Sequence, residues 1–463
     1  VITFKKSSDL FVVANTTEAA GSSHSHVKDI LRLAVPAMLA LASQPLLSIG
    51  DTAMIGRLGV EPLAARAVGA SIIGGIYWIF TFLNFGTTTL VGYHHGAKDF
   101  RACGETYFHA LCLALFGGVG VAFAGLLFAA PLYQLMGAPE NVIKQGVPYF
   151  RIYIASAPFT FIFFASVGFF RGTLDTRTPM IIAFLITGTH LLLDYSLIYG
   201  HFGLPRLGLN GAATAAWVGQ LVGAATCLAI FFFSRSTTVY RNSRWRLSLN
   251  RIRPLFRIGS DLAIRTGALR GSLVFATSCA ARMGASVLSA HEIAFQLMLL
   301  GSDVIDGFAV AGQALVAKYL GAAQKETAIA MGKTLILCGA VGGLLFGTIF
   351  LVAQDAIAGF FTNSTDVKLL LAAGVILLIA LFQPLNGIVF VLDGFLIGAR
   401  DTRFLMWAML VGALGIFVPI SWMSLHWGWG LMGIWAGVGA LMSWRLLTLL
   451  YRFYSRKWYP NSG

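Results

Sequence analysis

"MIIAFLITGTHLLLDYSLIYG", residues 180–200, carries one formal charge, Asp194, in an otherwise apolar run. About twenty such residues, rising ~1.5 Å each, cross the ~30 Å hydrocarbon core of a bilayer as one helix. Comparable runs recur along the chain, at approximately 29–55, 63–92, 105–130, 146–169, 179–199, 211–233, 255–280, 287–318, 328–353, 372–396, 403–424 and 430–453. The expected fold is therefore all-α and integral to a membrane, with twelve transmembrane helices. Composition agrees: 57% of the 463 residues are hydrophobic and 11% charged, against about 25% charged in soluble domains.

The net charge of +14 raises the question of nucleic acid, but its distribution answers it. Loops on the side of the N-terminus hold most of the Lys and Arg residues, including seven arginines from Arg235 to Arg257, whereas the opposite side holds Arg57, Arg66, Lys144, Arg151, Arg206, Arg282 and Lys368. By the positive-inside rule both termini are cytoplasmic, in a plasma (inner) membrane, and no nucleic-acid partner is expected. The stretch 234–254, with Trp245, Leu247 and Leu249 among its arginines, reads as a basic linker lying on the anionic inner leaflet. Residues 1–28 form a polar tail without a signal-peptide core, 454–463 a short C-terminal tail, and the five cysteines lack metal-type spacing.

The chain also resembles itself. A shift of 225 lays "RLGVEPLAA" (57–65) on "RMGASVLSA" (282–290), and a shift of 226 lays "GTLDTR" (172–177) on "GARDTR" (398–403). "GLNG" (208–211) recurs as "GLMG" (430–433). Six spans per copy is an even number, so both copies enter the membrane in one orientation. Two parallel six-helix lobes, 29–233 and 255–453, related by a pseudo-twofold axis follow, with a substrate site expected between or within them. No HExxH, GxSxG, Walker loop or paired metal motif is present, so transport is expected and no enzyme.

Charges inside apolar spans cost about 2.5–3.5 kcal/mol each, which makes each one a functional candidate. Asp51 and Asp194 lie at similar depth near the outer ends of spans one and five, and His190 precedes Asp194 by four residues, on the same helix face. Together they form a candidate proton or cation site; a metal role for Asp51 and Asp194 arises only if sodium is the coupling ion. Their repeat equivalents are Ala276 and Ile420, so the shared scaffold does not require either acid. The second half carries another set, Arg265, Arg270, Asp303, Asp306 and Asp393, in which depth along the helices pairs Arg265 with Asp306.

"GDTAMIGRLG" (50–59), "LLLDYSLIYG" (191–200), "IDGFAVAGQALVAKYLGA" (305–322) and "LDGFLIGARDTR" (392–403), together with the duplication, resemble the MATE (multidrug and toxic compound extrusion) family, most nearly its DinF-like branch. The resemblance implies a V-shaped antiporter that exports cationic or polyaromatic compounds in exchange for H⁺ or Na⁺. It matches Asp51 and Asp194 to the family's cation site, and Asp306 and Asp393 to acids of the DinF-like branch. Three departures stand out: His190 where relatives often have Asn, Tyr195 where they often have Pro, and Ala216 near a common Thr. Asn386 falls where sodium-coupled relatives often carry Asp. Imidazole suits proton exchange better than a hard cation, so H⁺ is the favoured coupling ion, with Na⁺ the alternative and no cofactor. The expected partners are a small organic substrate and membrane lipids, with the protein a monomer. Export of organic acids or metabolites, flipping of a lipid-linked precursor, and a non-transporting receptor are the alternatives.

Overall fold

The computed structural model describes residues 9–242, 245–361 and 365–459, and the described residues form helices and connecting turns without a strand. The first lobe comprises α1 (Asp9–Gly56), α2 (Val60–Ile79), α3 (Phe82–Gly96), α4 (Phe100–Leu135), α5 (Glu140–Ile154), α6 (Ala157–Gly172), α7 (Arg177–Tyr199) and α8 (Leu209–Phe233). A short α9 (Thr238–Arg241) lies in the linker. The second lobe comprises α10 (Leu249–Arg282), α11 (Ala285–Gly321), α12 (Lys325–Val352), α13 (Gln354–Phe361), α14 (Thr365–Leu370), α15 (Ile376–Gly398), α16 (Thr402–Gly412), α17 (Val418–His426) and α18 (Gly430–Tyr454).

Ten spans among the described residues are long and apolar enough to cross a membrane, α2 with α3 counting as one and α16 with α17 as another. An eleventh is α5 with α6, bent by 45° at its break, where Pro158 starts the second segment. The twelfth, α10, is long enough but interrupted by Arg257, Asp261, Arg265 and Arg270, which is why apolarity alone passes over it. Between α16 and α17, residues Ala413–Phe417 widen into a π turn just ahead of Pro419. Proline lacks an amide donor and its ring crowds the carbonyl four residues back, and a wider turn relieves both. Helix α1 begins at Asp9, within the stretch expected as tail.

The duplication is written into the backbone as well. Left-handed residues recur at the repeat offsets: Gly59 with Gly284, Lys98 with Ala323, and Leu174 with Arg400. Helices within a lobe approach through glycine faces. A Cβ on Gly339 of α12 would stand 2.4 Å from the Gly387 carbonyl oxygen of α15, and one on Gly343 would stand 2.2 Å from the Gln383 oxygen. Such small-residue stripes let dispersion and packing act where lipid supplies no hydrophobic drive.

The lobes meet at one end, the end where α1 enters and α18 leaves. There α3 and α11 cross reciprocally: a Cβ on Gly96 would fall 1.9 Å from the Lys318 oxygen, and one on Gly321 1.8 Å from the Tyr93 oxygen. Gln313 Nε2 donates to the Phe85 carbonyl (2.8 Å) and to Thr89 Oγ1 (2.9 Å), while Thr89 donates to the Ile397 carbonyl (3.2 Å). Arg400 lies 4.0 Å over the Tyr93 ring. Further along, Arg270 lies 5.2 Å over the Trp78 ring; beyond that contact no hydrogen bond or ion pair joins the lobes among the described residues, and the molecule is V-shaped. Replacing Gly321 with Leu should prise this seam apart. In a background lacking native cysteines, Thr89→Cys should resist a water-soluble maleimide in the parent and react once Gly321→Leu is added; equal protection in both would show that α3 and α11 do not seal the seam.

Candidate functional site

Asp51 sits in the last two turns of α1, and His190 and Asp194 lie one turn apart on α7. The two helices are clipped together at their ends by Tyr199, whose hydroxyl donates to the Met54 carbonyl at 2.8 Å. The imidazole lies between the acids: His190 Nε2 is 3.7 Å from Asp51 Oδ1 and 3.6 Å from Asp194 Oδ2. All three residues are buried, Asp194 completely. On the far side, α8 presents Gly219, where a Cβ would touch the His190 Cβ at 3.4 Å, so the helix closes over the ring.

A fourth member comes from α2. Arg66, counted by sequence among the outer loop cations, turns inward and places Nη2 3.3 Å from Asp51 Oδ2 with only 12% of its side chain exposed. The positive-inside count treats a cation near a span end as a loop charge, whereas here the acid one helix away draws it in. The cluster thus holds two carboxylates, one guanidinium and an imidazole. Asp51 Oδ1, both Asp194 oxygens and His190 Nε2 have no hydrogen-bond partner among the described residues. Counting His190 as neutral, two negative charges face one positive charge, and a single proton or monovalent cation completes the balance. Asp51, His190 and Asp194 each direct one ligand atom within 4.8 Å of the others. A hard cation prefers an all-oxygen shell, so the imidazole and the adjacent guanidinium suit a proton better. Tyr195, one of the sequence departures, faces away and stacks on His201 at 4.6 Å.

The repeat supplies an internal comparison. At the corresponding shifts Asp51 falls on Ala276, Arg66 on His291, His190 on Ile416 and Asp194 on Ile420. The second lobe fills this region with Ala276, Met409, Phe417 and Trp435, and His291 Nε2 pairs only with Thr277 Oγ1 at 3.2 Å. One lobe is charged where the other is packed shut.

In the second lobe the charges join differently from the sequence expectation. Arg265 pairs with Asp393, not with Asp306, and Arg445 of α18 reaches the same Asp393 oxygen. Depth along a helix says nothing about which face a side chain takes, and the pairing of α10 with α15 and α18 decided it. Arg445, overlooked by sequence reasoning, was legible as a lone cation within the last span. Asp306 makes no ion pair among the described residues but feels Arg265, Arg445, Asp393 and Asp303 electrostatically. Asp303 is exposed, and Arg270 leaves the group to lie 5.2 Å over the Trp78 ring of the other lobe.

A family profile described as MatE matches residues 36–196 and 271–423, one stretch in each lobe. The chain belongs to the MatE family. Among its relatives, a probable multidrug resistance protein NorM of Burkholderia pseudomallei is 30% identical, the alignment covering 93% of each chain. The DNA damage-inducible protein F of Escherichia coli is 25% identical over 91% of each. A transporter structure titled as an outward-facing conformation of a multidrug resistance MATE family member superposes with a TM-score of 0.83 at 23% identity, covering 93% of this chain and 96% of that one. A MATE structure in a bent conformation gives 0.85 at 22% identity, covering 95% and 98%. The family assignment bears out the sequence resemblance, and the superpositions bear out the fold; this MatE-family chain is a multi-pass membrane protein. Its own charges then set its stability. Removing one member of a buried ion group costs about 3–5 kcal/mol, because the rest is left unpaired. Asp393→Asn leaves two guanidiniums facing each other and should lower the melting temperature in detergent markedly, whereas Asp303→Asn, exposed and unpaired, should leave it within about 0.5 kcal/mol of the parent. Equal melting of the two variants would remove the Arg265–Asp393–Arg445 group from the fold's stability.

Proposed function

We propose that this protein is a proton-coupled antiporter exporting cationic or polyaromatic organic compounds by alternating access. The observation that carries the reading is the buried cluster of Asp51, His190, Asp194 and Arg66, one positive charge short of balance and with five unpaired polar atoms among the described residues. With no proton bound, a net negative charge in the first lobe attracts a cationic solute. With one bound, the charge is gone and the orphaned oxygens share a donor. Proton and solute thus compete for a single charge, and that competition is antiport. Arg66 fixes the stoichiometry at one by permanently cancelling half of the acid charge.

The charge asymmetry of the loops supports a topology with both termini in the cytoplasm. In that orientation the closed seam of α3 and α11 faces inward and the V opens outward, so the state is one that would release solute and accept a proton. The relatives' multidrug-resistance names support the substrate class. A second reading, export of organic anions, draws on Arg270, which is exposed, has no ion pair among the described residues and lies at the lobe junction over Trp78. Arg265, by contrast, is already held by Asp393.

Proteoliposomes carrying an imposed pH gradient test both. The parent should export a fluorescent organic cation, Asp51→Asn and Asp194→Asn should abolish this while the protein still inserts, and His190→Asn should retain part of the activity with a displaced pH optimum. Undiminished efflux by Asp51→Asn would take the cluster out of the mechanism. Efflux driven by a sodium gradient alone would exchange the ion, and selective movement of a carboxylate probe, lost in Arg270→Gln, would establish the second reading.

A further inference from the structure

The linker between the lobes is pinned to the first lobe at several points, and those next to α10 decide how that helix starts. Trp245 stacks on Phe232 (5.7 Å) and meets Phe108 edge-on (5.2 Å), so it docks on protein rather than in lipid. The Ser248 amide donates to His109 Nε2 at 3.0 Å, while His109 Nδ1 lies 2.6 Å from the Glu105 carbonyl. Arg251 pairs with Glu105 at 3.0 Å. These contacts fix where α10 begins and which way it faces.

From that start α10 has two unlike sides. Leu255, Ile258 and Leu262 are buried against the protein. The opposite side carries Leu249 (82% exposed), Phe256 (61%) and Ile264 (48%), interleaved with exposed Arg253 and Arg257 at i, i+4 spacing. Neither arginine has an ion pair among the described residues, and the nearby acids are committed: Glu105 holds Arg101 and Arg251, and Asp261 accepts from Thr402 at 2.8 Å. Cations alternating with apolar side chains at the polar end of a span match a phospholipid, with the headgroup at the end and the acyl chains alongside.

We infer that Arg253 and Arg257 hold the phosphate of an anionic phospholipid whose acyl chain lies on Phe256 and Ile264. The site sits on the first helix of the second lobe, directly after a linker clamped to the first. The inference rests on this surface alone and is independent of the coupling ion or solute.

The test uses the full chain in nanodiscs of phosphatidylcholine, alone or with added phosphatidylglycerol, with retained lipid counted by native mass spectrometry. The parent should retain phosphatidylglycerol in preference to phosphatidylcholine. A cation near an anionic surface is worth about 1 kcal/mol, or about fivefold, so Arg253→Gln with Arg257→Gln should weaken retention by about tenfold or more. The double change to Lys, which keeps the charge, should preserve it and shows that the variants fold. Arg282→Gln with Lys368→Gln, at the other end, should leave it unchanged. Equal retention of the two lipids, parent-like retention by the Gln pair, or displacement by inorganic phosphate as readily as by lipid would each overturn the inference, the last by making the surface a free-phosphate site.

Discussion

A charge placed in hydrocarbon must be answered by another, and this requirement organises the molecule more than any packing preference. In the second lobe it is met for Asp393, on which two arginines from different helices converge, while Asp306 has no ion pair among the described residues. In the first lobe it is met only in part. Arg66 answers Asp51, while among the described residues Asp194 has only the His190 imidazole, 3.6 Å away, beside it. An unpaired buried carboxylate is costly. The same constraint explains why α10 is the least apolar span: Arg265 is tolerated there because its counter-charge stands on a neighbouring helix.

The duplicated scaffold lets that asymmetry be read without other sequences. Both halves solve the same mechanical problem with the same turns, down to the left-handed residues at their loops. They differ where chemistry resides, with acids and imidazole in one lobe and alanine, isoleucine and tryptophan in the other. Shared positions carry shape, and unshared positions carry function.

How much of this was legible in the sequence follows from what each signal measures. The all-helical, many-span architecture and the duplication rest on apolar runs and on repetition, which are properties of the chain in one dimension; the spans and the left-handed turns at the repeat offsets reappear in space. Asp51, His190 and Asp194 were found because an acid in an apolar run is conspicuous and an i, i+4 pair shares a face. Arg66 and Arg445 were not found as partners, since one lies near a span end and the other is far from Asp393 in sequence. The Arg265–Asp306 pairing failed for the same reason: depth can be counted along a helix, but azimuth is set by the neighbours it packs against.

The crossing of α3 and α11 has a consequence beyond holding the lobes together. Residues 93 and 96 touch 318 and 321, and each pair is the image of the other under the repeat shift of 225. A contact in which i meets j and j meets i is the signature of a self-complementary dimer face. The seam between the lobes thus has, within one chain, the reciprocal geometry of an isologous interface, so one backbone approach is used twice to close a single joint. The two glycines, Gly96 and Gly321, keep the close approach on both sides of the seam, while Tyr93 and Lys318 differ around it.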